Sequence, residues 1–255
     1  MSSLELTEVS LMHQVSGGGT QLTLDRIDLL VESGTFVTLI GPSGCGKSSL
    51  LMCMGGLQPA SGGSIALGGT PMASPEPSKI SYVFQDYSLL PWKNIWENAS
   101  IGLKFAGMGK AERKEKALEA LELVQLGSRA TQFPAELSGG MQQRVAIARA
   151  LTMDPEILLL DEPFGALDEQ TRRTLGVEMA DMLRARGKTI VLVTHSLDEA
   201  VFWADQVVVM GAGPGRIIER LTIDRSWPRG VDFMVTEQFA EYRSRLLGLI
   251  SQPVA

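Results

Sequence analysis

The stretch "FVTLIGPSGCGKSSLLMCMGGL", residues 36–57, decides the fold. It opens with a short apolar run (36–40) that suits a strand buried on both faces of a parallel sheet. Next comes G-x-x-x-x-G-K-[ST], with Gly41, Gly46, Lys47 and Ser48 in the fixed positions, and then a run that reads as a helix. The glycines let the backbone wrap a phosphate with its N–H groups pointing inward. Lys47 supplies a point charge for the β- and γ-phosphates, and the Ser48 hydroxyl is a hard oxygen ligand for Mg²⁺. The strand before and the helix after separate this loop from a glycine-rich turn that matches by accident.

A Mg²⁺-nucleotide site also needs a carboxylate at the end of a neighbouring strand. "EILLLDEP" (156–163) and "TIVLVTH" (189–195) repeat the buried-strand pattern, each with polar residues at its C-terminal end, where open α/β sheets place their ligands. Alone, Asp161 and Glu162 read equally as a turn or a helix cap. Beside a phosphate loop, Asp161 becomes an outer-sphere partner of the metal. Strand alternation then points Glu162 elsewhere, where it can polarise a water for attack on the γ-phosphate. GTPases carry a D-x-x-G switch and an N-K-x-D base reader, and neither spacing occurs in this sequence, so ATP is the expected nucleotide.

At 255 residues, with 44% hydrophobic and 20% charged residues, the chain has the composition of an ordinary globular protein. Its net charge of −6 argues against a surface built chiefly for nucleic acid. Two cysteines, Cys45 and Cys53, with two histidines in the whole chain, are too few for a disulfide framework or a zinc site. The N-terminus lacks the basic and apolar regions of a secretory signal, and no apolar run reaches membrane length, so an intracellular protein that meets a membrane only through a partner is expected.

The early segments "LELTEVSLMHQV" and "TLDRIDLLVESG" alternate as antiparallel strands do. "KAERKEKALEALELV" (110–124) is an amphipathic helix whose charge run reads as a solvated face and whose Ala117, Leu118 and Leu121 face inward. The expected organisation is one domain over 1–255: a nucleotide-binding core from 1–89 and 156–225, a helical lobe at 90–155, and a helical tail at 226–255.

One stretch is left over. "LSGGMQQR" (137–144) has a serine, two glycines and a helix-forming run, which is the build of a second anion site. One nucleotide should not need two. The order of "GPSGCGKSS", Gln85 in "VFQDYSLLPW", "LSGGM", "ILLLDEP", "GALD" (165–168) and His195 in "VTHSLDEA" resembles the ATP-binding cassette (ABC) ATPases along nearly the whole chain. The resemblance implies an α/β P-loop core with a mixed sheet, an antiparallel β subdomain and an inserted helical subdomain. It implies an enzyme that hydrolyses ATP with Mg²⁺ and works as two copies packed head to tail. Ser138, Gly139 and Gly140 of one copy would then bind the γ-phosphate held by the other copy's phosphate loop, Gly41, Pro42, Ser43, Gly44, Cys45, Gly46, Lys47, Ser48 and Ser49. That would be the use of the second anion site. Asp168 would lie in the loop crossing the interface, His195 would contact the γ-phosphate and the attacking water, and Gln85 would sense metal and water. Taken alone, His195 reads more readily as an ordinary strand-end histidine.

The region 85–98 would receive a membrane permease subunit, although its aromatic cluster of Tyr87, Trp92 and Trp96 reads equally as core packing. "LLPW", "DEPFGALD" and the "GPGR" turn are similar to the ATPases of nitrate, sulfonate and taurine importers, which implies a separate substrate-binding protein and a peripheral place on the cytoplasmic face of the inner membrane. A soluble ABC ATPase acting in nucleic-acid repair or translation is the alternative. It is opposed by the single cassette and the acidic balance. The sequence departs from the family pattern twice: Met141 stands where glutamine is commonest, and "LMHQVSGGG" offers no aromatic residue to stack on adenine, leaving His13 or Val15.

Overall fold

The computed structural model describes residues 2–15, 18–165 and 169–251, with the side chains of 15, 169–171 and 173–175 outside that description. In chain order the elements are β1 (Leu4–Val15), β2 (Gly19–Val31), β3 (Phe36–Ile40), α1 (Lys47–Met54), β4 (Gly62–Leu67), β5 (Thr70–Pro71) and β6 (Ile80–Val83). Four helices follow: α2 (Ile95–Ala99), α3 (Ile101–Phe105), α4 (Lys110–Leu123) and α5 (Gly139–Leu151). Then come β7 (Ile157–Asp161), α6 (Glu169–Ala185), β8 (Thr189–Val193), α7 (Leu197–Trp203), β9 (Gln206–Gly211), β10 (Arg216–Thr222) and α8 (Glu237–Ile250). The chain divides into two compact units, Met1–Glu76 with Gly187–Ala255, and Pro77–Arg186.

The first unit is built on β3, which lies between β8 and β9 and is parallel to both, with Phe36 opposite Ile190 and Val37 opposite Gln206. Every residue of β3 and β8 is buried, as continuous apolar strands covered on two faces must be. The antiparallel β10 closes the edge beside β9 and shows the alternating exposure of a half-covered strand. In the same unit β1 pairs antiparallel with β2 and with β4. Leu4 and Leu6 are buried, and so are Val9 and Leu11, so the inward phase switches from even to odd positions within β1. The register shifts between Leu6 and Val9, where Glu8 takes φ 49°. Arg26, at φ 45°, makes the same change in β2 between the buried Leu24 and Ile27.

In the second unit β6 runs parallel to β7, Ile80 opposite Ile157. Helices α2, α4 and α5 pack on one another, and the residues they bury include Ile95, Leu121 and Val145 beside the small Ala99, Ala117, Ala120 and Ala148 that allow close approach. Leu118, expected inside, is half-buried, and Ala120 takes the inward position. The charge run of α4 is not wholly a solvated face. Arg113 and Lys114 stand 5.7 and 5.8 Å from the centre of the Trp96 ring, covering a side chain that is 6% exposed. These helices lie between 95 and 151, within the compact unit Pro77–Arg186.

The candidate nucleotide site

In the first unit the phosphate loop follows from two close approaches. A methyl group on Gly41 would stand 2.3 Å from the carbonyl oxygen of Met210 on β9, so only glycine lets the loop leave β3 there. Gly46 caps α1 at φ 92°, a left-handed conformation, and a methyl group on it would meet Leu24 of β2 at 2.7 Å. Lys47 is 5% exposed, and its ammonium donates to the carbonyls of Gly41 (2.8 Å) and Pro42 (3.0 Å). The cation is therefore already out of water and aimed into its own loop. Cys45 lies in the same loop, and burial pushes its thiol up in pKa against the lowering pull of Lys47. Burial pushes the thiol of Cys53 up to about 11, so both free cysteines are inert apolar fillers.

His13 is tied by both ring nitrogens. Its Nε2 lies 2.6 Å from the Gln58 side-chain amide, and its Nδ1 lies 2.9 Å from Thr23 Oγ1. Thr23 also stands beside Gly46, which places the ring one residue away from the phosphate loop. The GPGR turn is stitched to the same strand. Asp25 N–H donates to Gly215 O (3.0 Å), Gly215 N–H donates to Thr23 O (2.9 Å), and Arg216 donates to Asp25 at 2.8 Å. The Arg216 guanidinium holds the Asp25 carboxyl below its ordinary pKa. His195 sits exposed between β8 and α7, on a turn fixed by Thr194 accepting from Ser196 N–H (3.0 Å) and donating to Glu199, and by Ser196 capping α7.

In the second unit Asp161 ends β7, buried, and its carboxylate accepts a hydrogen bond from the Tyr82 hydroxyl at 2.9 Å. That donor fixes the carboxylate, while burial and the neighbouring charge push the phenol far above its usual range. Glu162 lies past the strand at φ 47°, so its direction comes from a left-handed residue and not from strand alternation. It accepts from the Gln85 amide at 3.2 Å, which brings the expected base and the expected sensor together. Ser138 caps α5, accepting from Met141 N–H at 3.4 Å, and Ser138 and Gly139 are exposed at the helix start. Asp168 lies outside the described residues, as does the side chain of Val15.

The aromatic cluster divides. Trp96 is core, and Trp92 is 71% exposed. The backbone on either side of Trp92 is tied by Asn98, a fully buried residue of α2 that carries no motif in the sequence. Its Oδ1 accepts from Leu90 N–H (2.7 Å), and its amide donates to the carbonyls of Leu90, Lys93 and Asn94 at 2.9–3.1 Å. Asn98→Ala strands these groups and is expected to cost about 2–3 kcal/mol, seen as a lower urea midpoint at unchanged slope.

A phosphate loop between a doubly buried parallel strand and a helix, with a strand-end Asp-Glu pair elsewhere in the chain, defines a P-loop nucleoside triphosphatase. The family described as "ABC transporter" matches residues 24–165. The chain is 42% identical over 252 residues to the taurine import ATP-binding protein TauB of Rhizobium johnstonii, covering 97% of this chain and 96% of that protein. It is 44% identical over 237 residues to an uncharacterised ABC transporter ATP-binding protein of Methanocaldococcus jannaschii, covering 93% of this chain and 87% of that one. Among solved structures, the dimeric structure of a bacterial ABC transporter cassette superposes with a TM-score of 0.79 at 31% identity, over 88% of this chain and 100% of that one. The chain belongs to the ABC transporter family, as one of its ATP-binding, ATP-hydrolysing cassettes.

Proposed function

We propose that this cassette drives import of a small anionic solute of the taurine, sulfonate or nitrate class, as two copies packed head to tail beneath a membrane permease. The observation that carries the reading is the 42% identity to a taurine import ATP-binding protein over 97% of the chain. The dimeric cassette structures support the pairing, and a structure of one in a post-hydrolysis state, bound to ADP and phosphate, supports the turnover. No helix among the described residues is long and apolar enough to cross a membrane. The permease would be received at 85–98, with Trp92 offered outward. A separate substrate-binding protein would deliver the solute, and the cassette would sit peripherally on the cytoplasmic face of the inner membrane. These transport relatives favour this reading over action on nucleic acid.

The roles follow from chemistry. The loop from 41 to 49 wraps the phosphates, and Lys47 turns from its own carbonyls to the β- and γ-oxygens. Ser48, Gln85 and, as an outer-sphere partner, Asp161 would hold Mg²⁺; hydroxyl, amide and carboxylate oxygens suit that hard cation, which would neutralise charge on the phosphate oxygens. Glu162 takes a proton from water as the water oxygen bonds to the γ-phosphorus and the bond to the ADP oxygen breaks. His195 contacts the γ-phosphate, His13 the adenine, and Asp168 the partner copy. Ser138, Gly139 and Gly140 would receive the γ-phosphate of the other copy, so ATP favours the closed pair and its hydrolysis releases it. The helical segment 90–155 would carry both the permease contact and these signature residues.

The test is uptake. With its permease and binding protein in vesicles, the cassette should import taurine or a related sulfonate only when Mg²⁺ and ATP are present. ATP hydrolysis without co-purification of any membrane protein, together with release by nuclease treatment, would overturn the import reading in favour of nucleic acid.

A further inference from the structure

We propose that Tyr87, clamped by Arg149, is a positioning residue that couples the state of Gln85 to the signature end of α5. The nucleotide in one chain would thereby set how well that chain's Ser138, Gly139 and Gly140 receive the nucleotide of the other copy. The inference rests on the two-copy reading above and names a device within each copy that the reading does not require.

Gln85 donates to Glu162 at 3.2 Å, so the segment that follows it begins at the site of hydrolysis. Two residues on, the backbone is seized. Arg149, in the last turn of α5, donates through Nη2 to the carbonyl of Tyr87 and through Nη1 to the carbonyl of Ser88, each at 2.8 Å. Two bonds from one planar fork to consecutive carbonyls fix orientation as well as position. Ser88 sits at φ 47°, which turns its carbonyl toward the same fork as its neighbour's. The Tyr87 side chain then reaches the opposite end of the helix. A methyl group built on Gly139 would lie 3.7 Å from the Tyr87 hydroxyl oxygen, ordinary contact distance.

The geometry is that of a strap laid along a rod. Helix α5 runs from Gly139 to Leu151, about 20 Å at the usual rise. Side chains lean toward the helix N-terminus, so Arg149 reaches back along the rod, and the tyrosine ring spans the rest of the way to the signature glycine. Tyr87 is half-buried and Gly139 is exposed, so this proximity contributes little to the core. Its value is positional. The bistable element is the strap, which has Gln85 on Glu162 as here, or drawn to a bound nucleotide.

The test uses Glu162→Gln protein, in which bound ATP persists, and reads the ATP concentration giving half-maximal dimer by sedimentation. Tyr87→Ala should raise that concentration at least tenfold, Arg149→Lys by a smaller factor, and Tyr87→Phe, which keeps the ring along the helix, should restore most of the loss. ATP affinity of the monomer and the melting temperature of Arg149→Lys should stay near parental values. Dimerisation of Tyr87→Ala at the parental ATP concentration would overturn the coupling and leave the two-copy reading standing. So would a loss of monomer ATP binding in step with dimerisation, because that is general damage. Failure of the Glu162→Gln parent itself to pair, with its permease supplied, would overturn the two-copy reading and this inference with it.

Discussion

Replacing Glu162 by glutamine is expected to slow ATP turnover by about 10²–10⁴-fold, the usual contribution of a positioned general base, and to trap the protein as an ATP-dependent dimer. The substitution is close to isosteric. The new side chain keeps an oxygen that accepts from the Gln85 amide, so the 3.2 Å contact that locates the residue survives. The left-handed backbone, at φ 47°, asks the same of glutamine as of glutamate. What disappears is the ability to take a proton from the attacking water. In the proposed cycle binding is left alone and favours the closed pair, so the closed population should accumulate instead of cycling. Phosphate release measured beside sedimentation in ATP checks both halves. A variant that turns over within a few-fold of the parent would remove Glu162 from the role of base. Glu162→Ala should be slow as well, but it also takes the acceptor from Gln85, so its dimer should be weaker than that of the glutamine variant.

The parts of this molecule that could be read from its sequence are those whose signal is local. The doubly buried strands appear as unbroken apolar runs, β3, β7 and β8. Helix α4 shows its period, and the phosphate loop announces itself by residues that must be small, cationic or hydroxylic at fixed spacing. What the sequence hid is of two kinds. The first is phase. Glu8 and Arg26 at positive φ shift the inward face of β1 and β2 by one residue, and Glu162 leaves the strand before alternation can aim it, because a single backbone angle overrides a period. The second is distant polar pairing. Arg149 meets Tyr87 across 62 positions, and Asn98, fully buried, spends its amide on a loop, yet each looks in sequence like an ordinary helix residue. Trp92 and Trp96 stand four positions apart with opposite fates, Trp96 covered by Arg113 and Lys114 of α4 and Trp92 exposed, and composition does not tell them apart.

Lys47→Ala should weaken ATP binding about 100-fold while leaving the ligand-free protein nearly as stable as before. Lys47 is 5% exposed, and its ammonium rests on the carbonyls of Gly41 and Pro42. Its desolvation is thus met on folding, and a triphosphate oxygen need only outcompete two neutral carbonyls. A charge-assisted hydrogen bond contributes about 1.5–3 kcal/mol, and two such contacts to the β- and γ-oxygens, less the two carbonyl bonds given up for them, account for the hundredfold. In the ligand-free protein the same substitution removes a buried cation and two bonds together, terms of opposite sign, so the melting temperature should move by only a few degrees. The two effects separate in one experiment. At ATP one hundred times the parental dissociation constant, binding stabilises the parent by about 2.7 kcal/mol; a hundredfold weaker site leaves about 0.4 kcal/mol. The ATP-induced rise in melting temperature should therefore almost vanish. Lys47→Arg should fare little better, because a planar fork cannot replace a compact ammonium in so closed a nook. If ATP still raised the melting point of Lys47→Ala as far as that of the parent, the loop at 41–49 would not be gripping the phosphates through this side chain.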